Sequence, residues 1–196
     1  METAEKAERE KTKMKKLIAT LVALMMVLGV AACALAEEEV KPTVVGNVQF
    51  DMDMDQVMQQ VESLITPVKK EIEGPKMRGT TEFYELEYED VTDAFGFTAD
   101  IKYLFVGNGL VAVHLDMADG TDYAKVKSDL TADGSEAVPF DAAKIGNGKF
   151  AIDDDGDLKD CKEMIELEGL TIILEQDKDG DVDVTFLDPT AAYINA

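Results

Sequence analysis

Two runs of alternating apolar and polar residues meet at Gly107-Asn108-Gly109, and this arrangement restricts the possible folds more than any other feature of the chain. Along residues 99–106 and again along 110–117, every second side chain is apolar, as in a strand with one buried face. The glycines between the runs supply the positive φ angles of a tight turn. The sequence therefore predicts an antiparallel hairpin and a sheet built around it.

Further strands are predicted on both sides of this hairpin. Residues 44–50 have strand character with an interruption at Gly46-Asn47, and residues 83–88 alternate so that Tyr84, Leu86 and Tyr88 share one face. Residues 170–175 and 182–187 form a second predicted hairpin, which turns around Lys178-Asp179-Gly180. Several short strands that follow one another in this way favour antiparallel pairing.

Helices and loops are predicted between these strands. Apolar residues recur at spacings of three and four along residues 54–65, which is typical of a helix with one buried face. A second helix is expected after Thr121 or Asp122, either of which can cap it. Residues 158–167 are predicted to form a short helix and residues 74–80 a loop.

The order of helix, strands and hairpin occurs twice, at about 44–117 and about 118–188. This predicts an α+β fold of two similar helix-plus-antiparallel-strand halves, with the helices packed on one face of an antiparallel sheet. Both halves would belong to a single domain, residues 37–196.

The N-terminal segment has the three parts of a signal peptide. A basic start at Met14-Lys15-Lys16 precedes an apolar run without charges, 17–30, and a small-residue cleavage site, Ala34-Leu35-Ala36. We therefore expect residues 1–36 to be removed by cleavage after Ala36, with residues 1–13 a possible upstream extension. The protein would then act outside the cytoplasm, either secreted or attached to the cell envelope.

A second processing route competes with this cleavage. Val30-Ala31-Ala32-Cys33 is similar to the lipobox of bacterial lipoproteins, in which the cysteine carries the lipid and becomes the mature N-terminus. Contact with a membrane is expected only if Cys33 is lipidated, since one lipid holds a protein more weakly than a spanning helix does.

The expected mature chain is strongly acidic. It keeps 13 basic and 37 acidic residues once the six basic and four acidic residues of 1–36 are removed, a net charge of −24. Such a chain repels phosphate backbones, so nucleic acid is not an expected partner. Cys161 would be its only cysteine, which excludes an intramolecular disulfide, and is expected to be inert.

Acidic loops near the C-terminus raise the question of calcium. With Gly180 at position 6 of a calcium-loop template, Asp177 and Asp179 occupy positions 3 and 5, but Phe186 occupies position 12, where a carboxylate is needed. We therefore assign no metal site and no cofactor, and keep Asp177, Asp179 and Asp181 as weak cation-binding candidates in an acidic hairpin turn.

The sequence contains little that could support catalysis. It has none of the nucleophile, zinc or phosphate-binding motifs that mark common enzyme classes. The single histidine, His114, falls on the strand face opposite Val113 and Leu115, and is predicted to face solvent. No catalytic residue is assigned, and the protein is not expected to be an enzyme.

One resemblance to known families rests on segments 50–57, 84–88, 96–105 and 109–113. Together they resemble small exported bacterial proteins of the BamE/SmpA-like group, and the tandem arrangement is similar to the β-lactamase-inhibitor-protein (BLIP-like) fold. The resemblance implies helices packed on a curved antiparallel sheet and a role in binding, as an envelope lipoprotein or an inhibitor. It carries over no functional residue.

The sequence thus predicts an exported, non-catalytic binding or envelope-associated module that contacts a protein or peptide. Two alternatives stay open. One is an extracellular hydrolase inhibitor, which would need an exposed aromatic patch on its sheet, and the other is an acidic cation-binding protein.

Overall fold

The computed structural model describes residues 42–65, 69–78, 81–91, 98–145 and 160–190. The predicted signal peptide, its cleavage site at Ala36 and the lipidation candidate Cys33 lie outside these residues. No helix within the described ranges is long and apolar enough to cross a membrane.

Ten strands and two short α-helices make up the described chain. In chain order they are β1 (Thr43–Val44), β2 (Val48–Gln49), α1 (Met54–Glu62), β3 (Lys69–Arg78), β4 (Thr81–Val91), β5 (Ala99–Val106), β6 (Gly109–Met117), α2 (Tyr123–Leu130), β7 (Val138–Pro139), β8 (Cys161–Leu167), β9 (Leu170–Gln176) and β10 (Val182–Leu187). A single turn of 3-10 helix, Ala142–Ile145, follows β7.

Eight of the strands form one continuous antiparallel sheet. Their order across the sheet is β3-β4-β5-β6-β10-β9-β8-β7, and the first two strands of the chain pair separately as a small hairpin. The predicted hairpins β5–β6 and β9–β10 are confirmed. The sheet becomes continuous where β6 pairs with β10, with Val113 opposite Phe186.

The predicted α+β class is therefore wrong, because the protein is mainly β and the two helices have only nine and eight residues. The predicted halves, about 44–117 and 118–188, do not stand as separate helix-plus-strand units. They share one sheet through the β6–β10 pair, and residues from both lie in one hydrophobic core.

Three predicted segments differ in the structure. The predicted strand at 44–50 is instead most of the small hairpin of β1 and β2, whose turn contains Gly46 and Asn47 at positive φ. Within the predicted helix at 158–167, residues 161–167 are strand β8, which pairs with β9 and buries Met164 and Ile165, while residues 158 and 159 lie outside the described residues. The predicted loop at 74–80 overlaps strand β3, which pairs with β4 across a bulge between Glu73 and Lys76. Neither β3 nor β8 has regular alternation, because each strand contains a bulge in its pairing.

Strand β3 forms an edge of the sheet and has features that hinder pairing with another chain. Gly74 has a φ of +136°, and a Cβ built there would lie 2.7 Å from Tyr84 Cδ1, so the bulge requires glycine. Pro75 lacks an N–H, and Lys69 and Lys76 place charges along the edge. Charges, proline and bulges are common protections of exposed edges.

Helix α1 begins at a complete capping box. The Asp53 side chain accepts a hydrogen bond from Gln56 N at 2.9 Å, and Gln56 Oε1 accepts one from Asp53 N at 3.0 Å. One turn apart on the inner face, Val57 and Val61 are fully buried against the sheet core. Local capping and an apolar stripe therefore explain why these nine residues are helical.

Each helix is also held by a glutamate that binds one lysine and one tyrosine. For α1, Glu62 accepts hydrogen bonds from Lys70 Nζ at 2.8 Å and Tyr88 Oη at 3.3 Å. For α2 the roles are reversed. Glu163 lies on β8, while Lys127 and Tyr123 come from the helix. These contacts join the helices to neighbouring strands at the border of the core.

Both faces of the sheet are packed. The larger core lies on the face covered by the helices and includes Tyr103, Leu115 and Val184. The opposite face carries a second core of buried side chains. Its members are Phe83, Leu104, Val111, Ala112, Ile145, Met164, Ile173 and Leu187. Polar residues on this second face therefore lie beside apolar packing.

Candidate functional site

Three aspartates stand side by side on the second face of the sheet. Asp100 on β5 pairs in register with Asp116 on β6, which pairs in turn with Asp183 on β10. The chain neighbours Ile101 and Leu115 are fully buried in the larger core, so the aspartate side chains point to the opposite face. Neighbouring strands lie about 4.8 Å apart, which makes this a row of carboxylates roughly 10 Å long. We call these three residues the acidic row.

Two further carboxylates add to the negative potential of the acidic row. Asp119 follows β6 and Asp181 precedes β10, and both are exposed. Asp116 is also exposed, yet its pKa is raised, first by partial desolvation and then by the carboxylates of Asp100, Asp181 and Asp119. Desolvation and, after it, repulsion from these carboxylates both disfavour the ionised form of Asp116 in the free protein.

Two contacts partly balance this charge. Lys102 lies two residues along β5 from Asp100, and its Nζ is 3.7 Å from Glu87 Oε1. Burial raises the pKa of Glu87, and Lys102 opposes that rise. Asp100 Oδ1 accepts a hydrogen bond from the backbone N–H of Asp90 at 2.7 Å. The hydrogen bond from Asp90 holds Asp100 in place at one end of the acidic row.

His114 is not exposed, contrary to the prediction. The residue is only 6% exposed, and its Nδ1 lies 3.1 Å from Thr185 Oγ1 on β10. The alternation of apolar and polar residues along β6 predicts the correct face for the His114 side chain, the face shared with Ala112 and Asp116. That face is covered by the second core, and for this reason the histidine is buried.

Cys161 and His114 are not brought together. Cys161 lies on β8, and strands β9 and β10 separate it from β6. Three inter-strand steps correspond to about 14 Å, too far for a nucleophile and base in direct contact. Cys161 is instead paired in register with the buried Glu175 of β9.

The calcium candidates occupy the turn between β9 and β10. One oxygen of Asp177 accepts hydrogen bonds from the backbone N–H groups of Asp179, Gly180 and Asp181, at 2.7, 2.7 and 3.0 Å. Burial raises the pKa of Asp177, but these donors outweigh it and leave the pKa lowered. Within the described residues, no three His, Cys, Asp or Glu side chains converge as metal ligands. The Asp177 carboxylate thus shapes the turn.

The aromatic residues of the central strands form core rather than a binding face. Tyr88, Tyr103 and Phe105 are at most 2% exposed, and the Tyr88 and Tyr103 rings meet edge to face with centroids 6.1 Å apart. Tyr84 is partly exposed at the border of the same core. Phe95 and Phe97 lie outside the described residues.

Comparison with known proteins finds no matching family model, no matching curated protein and no matching solved structure. The resemblance to BamE/SmpA-like and BLIP-like proteins therefore stays a prediction, and the site is argued from this chain alone.

Proposed function

We propose that the protein is an exported, non-catalytic binding module whose acidic row takes a basic segment of a protein or peptide partner. The export segment supports a site of action outside the cytoplasm, with the chain either released after Ala36 or held by a lipid on Cys33. No nucleic acid is a partner in this proposal.

The observation that carries the proposal is the in-register alignment of Asp100, Asp116 and Asp183. Carboxylates on adjacent strands are about 4.8 Å apart, while alternate residues of an extended peptide are about 6.8 Å apart. The two spacings differ by about 2 Å per step, which the long, flexible side chains of lysine or arginine at alternate positions can span. Desolvation and then repulsion between carboxylates raise the pKa of Asp116, and a partner cation would offset that repulsion.

The charge of the whole chain supports the same kind of partner. The expected mature chain, with 13 basic and 37 acidic residues, has a net charge of −24, which produces a long-range negative potential that steers cationic partners and accelerates their association. The effect of salt follows from this, since ionic strength screens exposed charges. We expect binding to weaken steadily as salt is added.

The experiment is a calorimetric titration of the purified protein with a short peptide in which lysine and serine alternate. Asp116→Asn and Asp183→Asn should each weaken binding by roughly two- to fivefold, since one exposed charge pair contributes up to about 1 kcal/mol. Asp129→Asn is the matched control. It removes the same charge from α2, where Asp129 pairs with Lys125, away from the acidic row.

Equal weakening by all three variants would mean that only net charge matters, and the acidic row would then not be the site. A peptide with glutamine in place of lysine should not bind. Intact-mass measurement of the native protein separates the two export routes, because a chain that begins at Glu37 without lipid excludes anchoring through Cys33.

A further inference from the structure

His114 lies in the central strand pair of the sheet, β6–β10, which joins strands β3–β6 to strands β7–β10. Strand β6 follows β3, β4 and β5 across the sheet, and β10 precedes β9, β8 and β7. His114 lies directly opposite Thr185 in this pair, and Asp183 lies opposite Asp116 two residues away. Any change in the contacts of His114 therefore acts at the centre of the sheet.

Both ring nitrogens of His114 face oxygen atoms of β10. Nδ1 lies 3.1 Å from Thr185 Oγ1, and Nε2 lies 3.9 Å from Asp183 Oδ1. A neutral imidazole has one N–H and can donate on one side only, whereas an imidazolium donates on both sides. A threonine hydroxyl can accept from either form, but an ionised aspartate only accepts. At 3.9 Å the Asp183 contact is an ion pair rather than a hydrogen bond, so it stabilises only the protonated ring.

The charges around the ring favour the same form. Within the described residues, Lys102 faces His114 from β5, Asp183 faces it from β10, and Asp116 lies on its own strand. Lys102 disfavours an added proton, but its own charge is partly balanced by Glu87 at 3.7 Å. Burial also disfavours the charged ring. Asp100 lies on the same face of β5 as Lys102, and Glu175 of β9 faces Asp183 from the other side of β10. Four carboxyl groups against one partly balanced lysine leave the local field negative.

We propose that His114 is a proton-dependent clasp, in which the imidazolium holds Thr185 and Asp183 of β10 to β6 and strengthens the centre of the sheet as the pH falls below neutrality. Histidine is the side chain whose ordinary titration lies between pH 5 and 8, and His114 is the only one in the sequence. The clasp does not depend on the proposed binding of a basic partner.

The sign of the effect follows from proton linkage. If the folded protein holds the proton of His114 more tightly than the unfolded chain does, the added stability is complete below the unfolded value of about 6.5. It is then lost as the pH rises through the higher folded midpoint. We therefore expect the protein to unfold at higher urea concentration at pH 5.5 than at pH 8.

Proton NMR of the purified protein in D2O tests the clasp directly, because a single histidine gives a single Cε1–H resonance to follow with pH. The folded protein should titrate with a midpoint above about 6.5. Asp183→Asn should lower that midpoint, and Asp129→Asn, which changes the same charge on α2, should leave it unchanged. Thr185→Val keeps the shape of the side chain, removes the hydroxyl, and should also lower the midpoint.

A wild-type midpoint at or below about 6.5, or one that does not respond to Asp183→Asn, would overturn the proposal. Urea unfolding of His114→Gln provides the second measurement. The stability difference between pH 5.5 and pH 8 should shrink in this variant, and a difference equal to that of the wild type would also overturn the clasp.

Discussion

Replacing Glu163 by glutamine tests how helix α2 is held against the sheet. Glu163 Oε1 accepts a hydrogen bond from Lys127 Nζ at 2.6 Å, and Oε2 accepts one from Tyr123 Oη at 2.9 Å. The hydrogen bond and charge of Lys127, together with the Tyr123 bond, lower the pKa of Glu163 despite partial burial. Glutamine keeps the shape of the side chain but removes the charge.

The magnitude follows from these two contacts. The Glu163 side chain is 22% exposed and that of Lys127 is 37% exposed, so the ion pair is partly screened and contributes about 0.5–1 kcal/mol. Weakening the tyrosine hydrogen bond from a charged to a neutral acceptor adds about 0.5 kcal/mol. The expected loss is therefore about 1–1.5 kcal/mol, or roughly 2–6 °C in Tm for a chain of this size.

Urea unfolding followed by circular dichroism measures this loss, with Glu166→Gln as the matched control. Glu166 lies on the same strand, and its ion pair with Lys144 has about half of each side chain exposed. Both variants remove one negative charge, so relief of general repulsion is equal. We expect Glu166→Gln to change stability by less than about 0.5 kcal/mol.

The pH dependence gives an independent check. Because the folded pKa of Glu163 is lowered, its contribution is present above the unfolded value of about 4.3 and is lost as the pH falls through the folded pKa. The difference between wild type and Glu163→Gln should accordingly shrink in strong acid. Equal stabilities of the two glutamine variants at pH 7 would refute the idea that Glu163 fastens α2.

Three further substitutions address the cap, the second core and the acidic turn. Asp53→Ala removes the cap of α1 and should cost about 1 kcal/mol in urea unfolding. Ile173→Ala opens a cavity at a side chain with no exposed surface, and should cost about 2–5 kcal/mol by the same measurement. Asp177→Ala leaves three turn N–H groups without their acceptor, so its Tm should fall below that of Asp179→Ala in thermal scans.

Local patterns were sufficient for the hairpins and for α1. Residues 99–117 alternate with period two around a glycine turn, and the same residues supply both strands, so pairing needs no distant information. Helix α1 likewise depends on a cap and a stripe within twelve residues. Strands β3 and β8 were missed because their bulges interrupt the alternation, and because charged residues of an edge strand resemble a loop in sequence.

The fold class depended on a contact that local patterns do not specify. Strands β6 and β10 are separated by more than sixty residues, and neither sequence specifies the other strand as its partner. Their pairing turns two predicted units into one eight-stranded sheet. It also creates the acidic row, since Asp116 and Asp183 become neighbours only through this pair.

His114 shows why a correct register was not enough to predict exposure. The alternation of β6 places its side chain opposite Val113 and Leu115, as the structure also has it. A sheet with one open face would leave such a residue in water. Here the second face has its own core, which encloses His114, and a buried polar side chain must find polar partners. Strand β10 supplies those partners, and the sequence did not predict that β10 would pair with β6. The β6–β10 pairing therefore determines both the fold and the polar contacts at the centre of the sheet.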